Sequence, residues 1–255
     1  MKNLFDIQGC RAIVTGGTRG LGHGMAEGLM EAGASVVIFG TSSKVEQVAA
    51  DFRAKGLDCR GLQVDLADAG QREEGFSRAV ELLGGLDVLV NAAGIQRRYP
   101  CEEFPKEEWD AVIEVNLTAP YALSQMAARE FLKKEEPCGK IINVASMLSF
   151  FGGVTVSAYA ASKGGVAQFS KGMCNELASR GICVNCVAPG YMDTDLNTAL
   201  TDPDNPRCQE ITDRIPAHRW GTPEDMKGVT VFLASHASDY INGAVIPVDG
   251  GYLVK

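Results

Sequence analysis

Tyr159 and Lys163 stand four residues apart in the segment Ser157-Ala-Tyr-Ala-Ala-Ser-Lys163. If the Ala-rich stretch opening near Ala158 is helical, that spacing puts both on one face, an ammonium beside a phenol. A free tyrosine titrates near about pH 10, and a neighbouring cation favours the phenolate, so the pair predicts an acid usable near neutrality. Ser146 follows the apolar run Ile141-Ile-Asn-Val-Ala145, at the start of a Gly-containing loop. Its hydroxyl is placed to hydrogen-bond a substrate oxygen facing Tyr159, and the three residue types together suit work on a carbonyl. Tyr and Lys at helical spacing also occur on ordinary surface helices, so the rest of the chain decides.

The elements that position these residues begin with Arg11-Ala-Ile-Val-Thr15, a β-rich run. Gly16-Gly-Thr-Arg-Gly20-Leu-Gly22 follows at once, then a helical pattern over Met25–Ala32 ended by Gly33. Strand, Gly-rich turn and helix is an arrangement in which backbone approaches a pyrophosphate and a helix N-terminus faces the anion. Gly16, Thr18, Arg19, Gly20, Leu21 and Gly22 are therefore candidate nucleotide contacts, although such a turn alone is also a tight helix–sheet connection. The second strand, Ser35–Phe39, runs into Gly40-Thr-Ser-Ser43 with no acidic residue to hold two ribose hydroxyls. Arg19 with the hydroxyls of Thr41 and Ser42 favours NADP over NAD. A solvated Arg and a Ser-rich turn look the same, so NAD stays open.

Further along, a helix over Lys44–Lys55 leads to a strand at Cys59–Val64, followed by Asp65 and Leu66. The next helix is expected to be interrupted at Gly75 and to end at Leu83 before Gly84-Gly85. A buried-type strand, Leu86–Val90, ends in Asn91-Ala92-Ala93-Gly94, small residues that allow a ligand to approach. A run over Trp109–Asn116, a helix over Thr118–Lys134, strands at Lys140–Ala145, Ile182–Val187 and Ala244–Val248, and the Tyr159 helix complete seven strands in βαβ alternation. An α/β parallel sheet in a single domain is predicted, since no linker, repeat or composition shift divides the 255 residues.

Apolar residues make up 45% and charged residues 22%, and the net charge of -8 with no basic run argues against nucleic-acid or anionic-membrane partners. No apolar leader opens the chain and no run of about 18 apolar residues occurs, so a cytoplasmic address is expected. The eight cysteines are scattered. The pair Cys183-Val-Asn-Cys186 lies in a strand, where residues three apart face opposite sides, so neither a redox pair nor zinc is predicted there. His23, His218 and His236 lack ligand spacing, and no metal site is expected.

Thr15-Gly16-x-x-x-Gly20-x-Gly22, Asp65, Asn91-Ala-Ala-Gly94, Asn116, Ser146, Tyr159-x-x-x-Lys163 and Pro189-Gly190 followed by Thr194 resemble, in order and spacing, the short-chain dehydrogenase/reductase family. The resemblance spans essentially the whole chain. It implies a Rossmann-type doubly wound parallel sheet of order 3-2-1-4-5-6-7, binding of NAD or NADP, and hydride exchange with a carbonyl or alcohol carbon. Tyr159 is then the acid/base, Lys163 lowers its pKa and holds the nicotinamide ribose, Ser146 orients the substrate oxygen, and Asn116 holds a water in the proton relay. Asp65 contacts the adenine, with Leu66 beside it; Asn91, Ala92 and Gly94 line the crevice; Pro189, Gly190, Met192 and Thr194 flank the carboxamide. The departure is Ala92, where many members carry a second Asn. The family also implies a homotetramer built on the helices around Thr118–Lys134 and Ala158–Arg180.

Arg97 and Arg98, just after Gly94, are candidate clamps for a substrate carboxylate, with Met147 beside Ser146 as a further substrate contact; a solvated turn pairing with Glu102 or Glu103 is the alternative. Gly94–Pro100, Lys140–Gly153, Ala188–Met192 and Arg214–Gly221 are similar to the branch of the family acting on hexonic (sugar) acids such as gluconate and 2-dehydro-3-deoxy-D-gluconate. Members of that branch are often NAD-linked. The segment from about 191 to 216 is long enough to be a substrate lid. A 3-oxoacyl-carrier-protein reductase and a non-catalytic dinucleotide sensor are the competing readings. The acidic net charge disfavours an acidic carrier protein, and the intact catalytic set disfavours a sensor.

Overall fold

Strands alternate with amphipathic helices, and the central strands are apolar on both faces, which requires cover on both sides. The computed structural model, which describes residues 3–202 and 204–255, meets that requirement with a seven-stranded parallel sheet of order β3-β2-β1-β4-β5-β6-β7. The strands are β1 Arg11–Thr15, β2 Ser35–Gly40, β3 Cys59–Gln63, β4 Val88–Asn91, β5 Gly139–Val144, β6 Ile182–Pro189 and β7 Val245–Val248. The helices among them are α1 Gly20–Glu31, α2 Lys44–Ala54, α3 Ala69–Leu83, α4 Lys106–Ile113, α5 Ala119–Phe131, α6 Ser157–Leu177, α7 Thr198–Thr201, α8 Pro206–Arg214 and α9 Lys227–Ala234.

Strand parity divides the core. Ala12, Val14, Val36, Ile38, Val88, Val90, Ile142 and Val144 pack with Met25 and Leu29 of α1, Phe52 of α2 and Leu233 of α9. Their neighbours Ile13, Val37, Phe39, Leu89 and Ile141 face the other way, onto Phe76 of α3, Leu123 and Phe131 of α5 and Leu177 of α6. The order reverses between β1 and β4, and that switch point opens a crevice at the strands' carboxyl ends.

Three features depart from the expected elements. First, α3 runs unbroken through Gly75, where a Cβ would lie 2.5 Å from Val64 Cγ2, so this glycine lets the helix lie against the chain leaving β3 and does not interrupt it. Second, α1 begins at Gly20, inside the Gly-rich turn, because Gly22 packs against the Gly16 carbonyl. Third, α4 and α5 are joined by a π-helical turn over Glu114–Thr118 that carries Asn116. Cys183 and Cys186 diverge as strand parity demands, with Cys186 Sγ 3.2 Å from Ser170 Oγ on α6 and Cys183 Sγ against the Asp239 carbonyl, and all eight cysteines are free. The segment proposed as a lid folds into a 3₁₀ turn, Asp195–Asn197, then α7 and α8; Pro203 within it lies outside the described residues.

Candidate active site

At the switch point lies a cleft of about 450 Å³. Its walls bring together Gly16, Thr18, Arg19, Gly20, Leu21 and Gly22 from the turn, Thr41 after β2, Asp65 and Leu66 after β3, Ala92 and Gly94 after β4, Tyr159 and Lys163 of α6, and Thr194. Ile95, Val115, Val144 and Asp195 also line it without having been singled out in the sequence, each adjoining or lying within one residue of a site residue. Proximity to the predicted strand ends was the available signal.

The glycines are shaped for close backbone approach. Gly16 has φ of 67°, and a Cβ there would lie 2.8 Å from Ala93 Cα; a Cβ at Gly22 would lie 2.4 Å from the Gly16 carbonyl oxygen. Arg19, the residue before α1, makes no side-chain cap, and no acidic residue stands in the first turn. The first N–H groups of α1 therefore face the cleft with their dipole uncompensated, as an anion requires. At the rim Arg19 Nη1 lies 3.4 Å from Asp195 Oδ2, and both side chains are largely exposed. Such a pair is weak and leaves the guanidinium available to a phosphate. These observations fit a dinucleotide.

Other expected nucleotide contacts are turned elsewhere. Asn91 is buried, and its Nδ2 donates to Asn143 Oδ1 at 2.8 Å and Ser124 Oγ at 3.1 Å, fastening β4 to β5 and α5. Pro189 ends β6, and Gly190 presses on Asp249, where a Cβ would lie 2.7 Å from its Cα. Met192 is buried in the core. Ser42 lies outside the cleft wall, on the exposed turn before α2.

The four predicted catalytic side chains interlock. Ser146 caps the 3₁₀ turn Met147–Ser149, its Oγ accepting from Leu148 N at 3.1 Å. Ser149 Oγ donates to the Lys163 carbonyl at 2.7 Å, tying that turn to α6. Lys163 Nζ donates back to the Val144 carbonyl at the end of β5, at 2.6 Å, and lies 5.7 Å from the centre of the Tyr159 ring. Asn116 grips Ile95 at two points: Oδ1 accepts from Ile95 N and Nδ2 donates to Ile95 O, both at 2.8 Å. Its Nδ2 also reaches Ser162 Oγ at 3.3 Å, which donates to the Tyr159 carbonyl at 2.7 Å. The π turn places Asn116 at this crossing, so the helix irregularity and the site have one cause.

Burial sets the electrostatics. It pulls the Lys163 ammonium down to about 8. It pushes the Tyr159 phenol up, with the Ser146 hydroxyl drawing it partly back. Burial is the larger influence on the phenol, and the Lys163 ammonium is turned to the Val144 carbonyl. Tyr159 therefore holds its proton at neutrality and is set up as a donor.

Of the predicted substrate residues Tyr159 lines this wall, whereas Arg97, Arg98 and Met147 do not. Arg97 Nε pairs with Glu108 Oε2 at 2.6 Å, and its Nη1 donates to the Gln96 carbonyl at 3.1 Å, so its partner is neither Glu102 nor Glu103. Arg98 is exposed beside Gln96. Met147 is buried and packs away from the cleft, against Tyr252, Ile211 and Ile215.

Residues 16–253 match the family model described as Enoyl-(Acyl carrier protein) reductase. The chain is 45% identical to the 2-dehydro-3-deoxy-D-gluconate 5-dehydrogenase of Dickeya dadantii (strain 3937), covering 99% of both chains. It is 39% identical to the 5-keto-D-gluconate 5-reductase of Escherichia coli (strain K12), over 100% of this chain and 99% of the relative. It superposes with a TM-score of 0.94 on the gluconate 5-dehydrogenase of Burkholderia cenocepacia J2315 in complex with NADP and tartrate, at 40% identity over 99% of this chain and 98% of that one.

Proposed function

The chain belongs to the short-chain dehydrogenase/reductase family, and from that premise we propose that it is an NADP(H)-linked oxidoreductase of a hexonic acid, interconverting a ketone and a secondary alcohol. 2-Dehydro-3-deoxy-D-gluconate and gluconate at C5 are the substrates its relatives' names point to. The observation that carries the reading is Tyr159 and Lys163 in the wall of a cleft shaped for a dinucleotide, with the Ser146 hydroxyl beside the Tyr159 phenol and Asn116 behind Gly94. The nucleotide, when bound, accepts or donates the hydride. Tyr159 Oη gives a proton to the substrate oxygen in reduction and takes it back in oxidation. Ser146 Oγ orients that oxygen. Lys163 holds the ribose and, with a pKa near about 8, exchanges protons readily at neutral pH. Asn116 fixes the Gly94–Ile95 turn and holds the relay water.

Arg19 and Thr41 in the cleft wall, with no carboxylate in the turn after β2, support NADP(H). The test is initial rates with NAD(H) and NADP(H) against gluconate, 5-ketogluconate and 2-keto-3-deoxygluconate-type acids. Faster turnover of at least one acid with NADP(H) is expected. Inactivity on every acid, with reduction of a 3-oxoacyl thioester, would replace this reading with the acyl-carrier one.

A homotetramer accompanies the proposal. Tyr121 and Trp109 expose 46% and 38% of their surface on the α4–α5 side, and a Cβ at Gly164 or Gly172 of α6 would meet nothing within 4 Å, leaving a smooth face for a second copy. Sedimentation should give four times the 27.2 kDa chain mass; a monomer at micromolar concentration excludes it. No helix among the described residues is long and apolar enough to cross a membrane. A cytoplasmic address is part of the proposal, supported by the eight unpaired thiols, and recovery of the activity in a secreted fraction would refute it.

A further inference from the structure

A hexonic acid carries one full charge, and neither Arg97 nor Arg98 lines the cleft to meet it. The far side of Ser146 offers another cation. Met147, directly after Ser146, is buried in one cluster with Ile211 and Ile215 of the α8 region and Tyr252, against which Tyr191 and Trp220 pack. The rings form a wall: Tyr191 lies 5.3 Å from both Tyr252 and Trp220, and Phe151 lies 6.2 Å from Tyr252. Over the Tyr252 ring, 5.0 Å from its centre, stands the guanidinium of Arg214, the last residue of α8. Nearby Arg219 is spent on both oxygens of Asp225, whereas Arg214 makes no ion pair among the described residues.

We propose that Arg214, standing over the Tyr252 ring, is the residue that binds the substrate carboxylate and selects for acids; this rests on the hexonic-acid reading above. The contact with the ring restrains the guanidinium, and with no ion pair among the described residues its N–H fork is available for two parallel bonds to a carboxylate. Met147, next to Ser146 in sequence, and Tyr252, under Arg214, belong to one buried cluster, which links the two residues through packed side chains. Because α8 belongs to the segment between β6 and α9, acid binding would also seat that segment.

The test compares wild type with Arg214→Gln, Arg214→Lys and Arg98→Gln, using KM and kcat on 5-ketogluconate and on an uncharged ketone, and calorimetric binding of gluconate to the NADP-loaded enzyme. Arg214→Gln should raise the acid's KM about ten- to a hundredfold with kcat and the uncharged ketone little changed, and Arg214→Lys should recover part of the loss. Unchanged acid KM and gluconate binding in Arg214→Gln, or the whole effect in Arg98→Gln, overturns the proposal. If wild type turns over no hexonic acid, the functional reading fails separately. The clamp is then judged on gluconate binding alone: it stands if Arg214→Gln abolishes that binding, and falls if binding is undiminished or absent in wild type.

Discussion

Tyr159→Phe is expected to lower kcat by about 10²- to 10⁴-fold while leaving nucleotide affinity unchanged. The substitution removes one hydroxyl from a ring whose backbone is fixed by Ser162 Oγ donating to its carbonyl, so the shape of the wall is kept. What disappears is the proton. The same hydroxyl gives the proton in reduction and takes it back in oxidation, so both directions should lose rate. Near-normal kcat in this variant would remove Tyr159 from the mechanism. Stopped-flow rates with nucleotide affinity measured by fluorescence decide between the outcomes.

Lys163→Met should also lose most activity, with weakened nucleotide binding, and should carry a signature in stability. The ammonium is buried and its pKa falls from an ordinary 10.5 to about 8. Below about pH 8 both folded and unfolded chains hold the proton, and the folded chain bears the cost of burying the charge. Between about 8 and 10.5 the unfolded chain binds more protons, so stability rises with pH across that window. At about 1.36 kcal/mol per unit, the difference between wild type and Lys163→Met should move by roughly 3 kcal/mol in favour of wild type from pH 7 to above 10. Denaturant unfolding of both proteins across that range measures it. Parallel pH profiles would show that the charge is not buried as described.

Strand parity explains why so much was legible. An apolar run buried on both faces, bounded by small residues, specifies a parallel strand whatever covers it, and the order of alternation left one architecture for the resemblance to name. Tyr159 and Lys163 were visible because helical spacing is local, and the Gly-rich turn because only glycine tolerates a Cβ-free approach such as that of Gly16 to Ala93. Contacts between distant segments were not visible. Asn91 sits at a strand's carboxyl end, as a ligand contact would, yet its amide nitrogen is taken by Asn143 and Ser124, more than thirty positions away. Gly75 reads as a helix breaker until Val64 is seen against it. The π turn at Asn116 has no periodic signal, and the Ile95 backbone that Asn116 grips lies twenty-one positions away. Arg97 and Arg214 differ in what their partners leave free, and no local pattern reports that Glu108 takes one while Tyr252 stacks the other.

Isotope transfer tests the central claim most directly. NADPH carrying deuterium at the transferable position of the nicotinamide is mixed with enzyme and 5-ketogluconate, and the product is analysed by mass spectrometry. The account predicts one deuterium on the carbon that bore the ketone, with the hydroxyl proton coming from solvent through Tyr159, and almost no labelled product from Tyr159→Phe in the same time. A reduced acid without deuterium at that carbon, or label appearing at the wild-type rate in Tyr159→Phe, would contradict it.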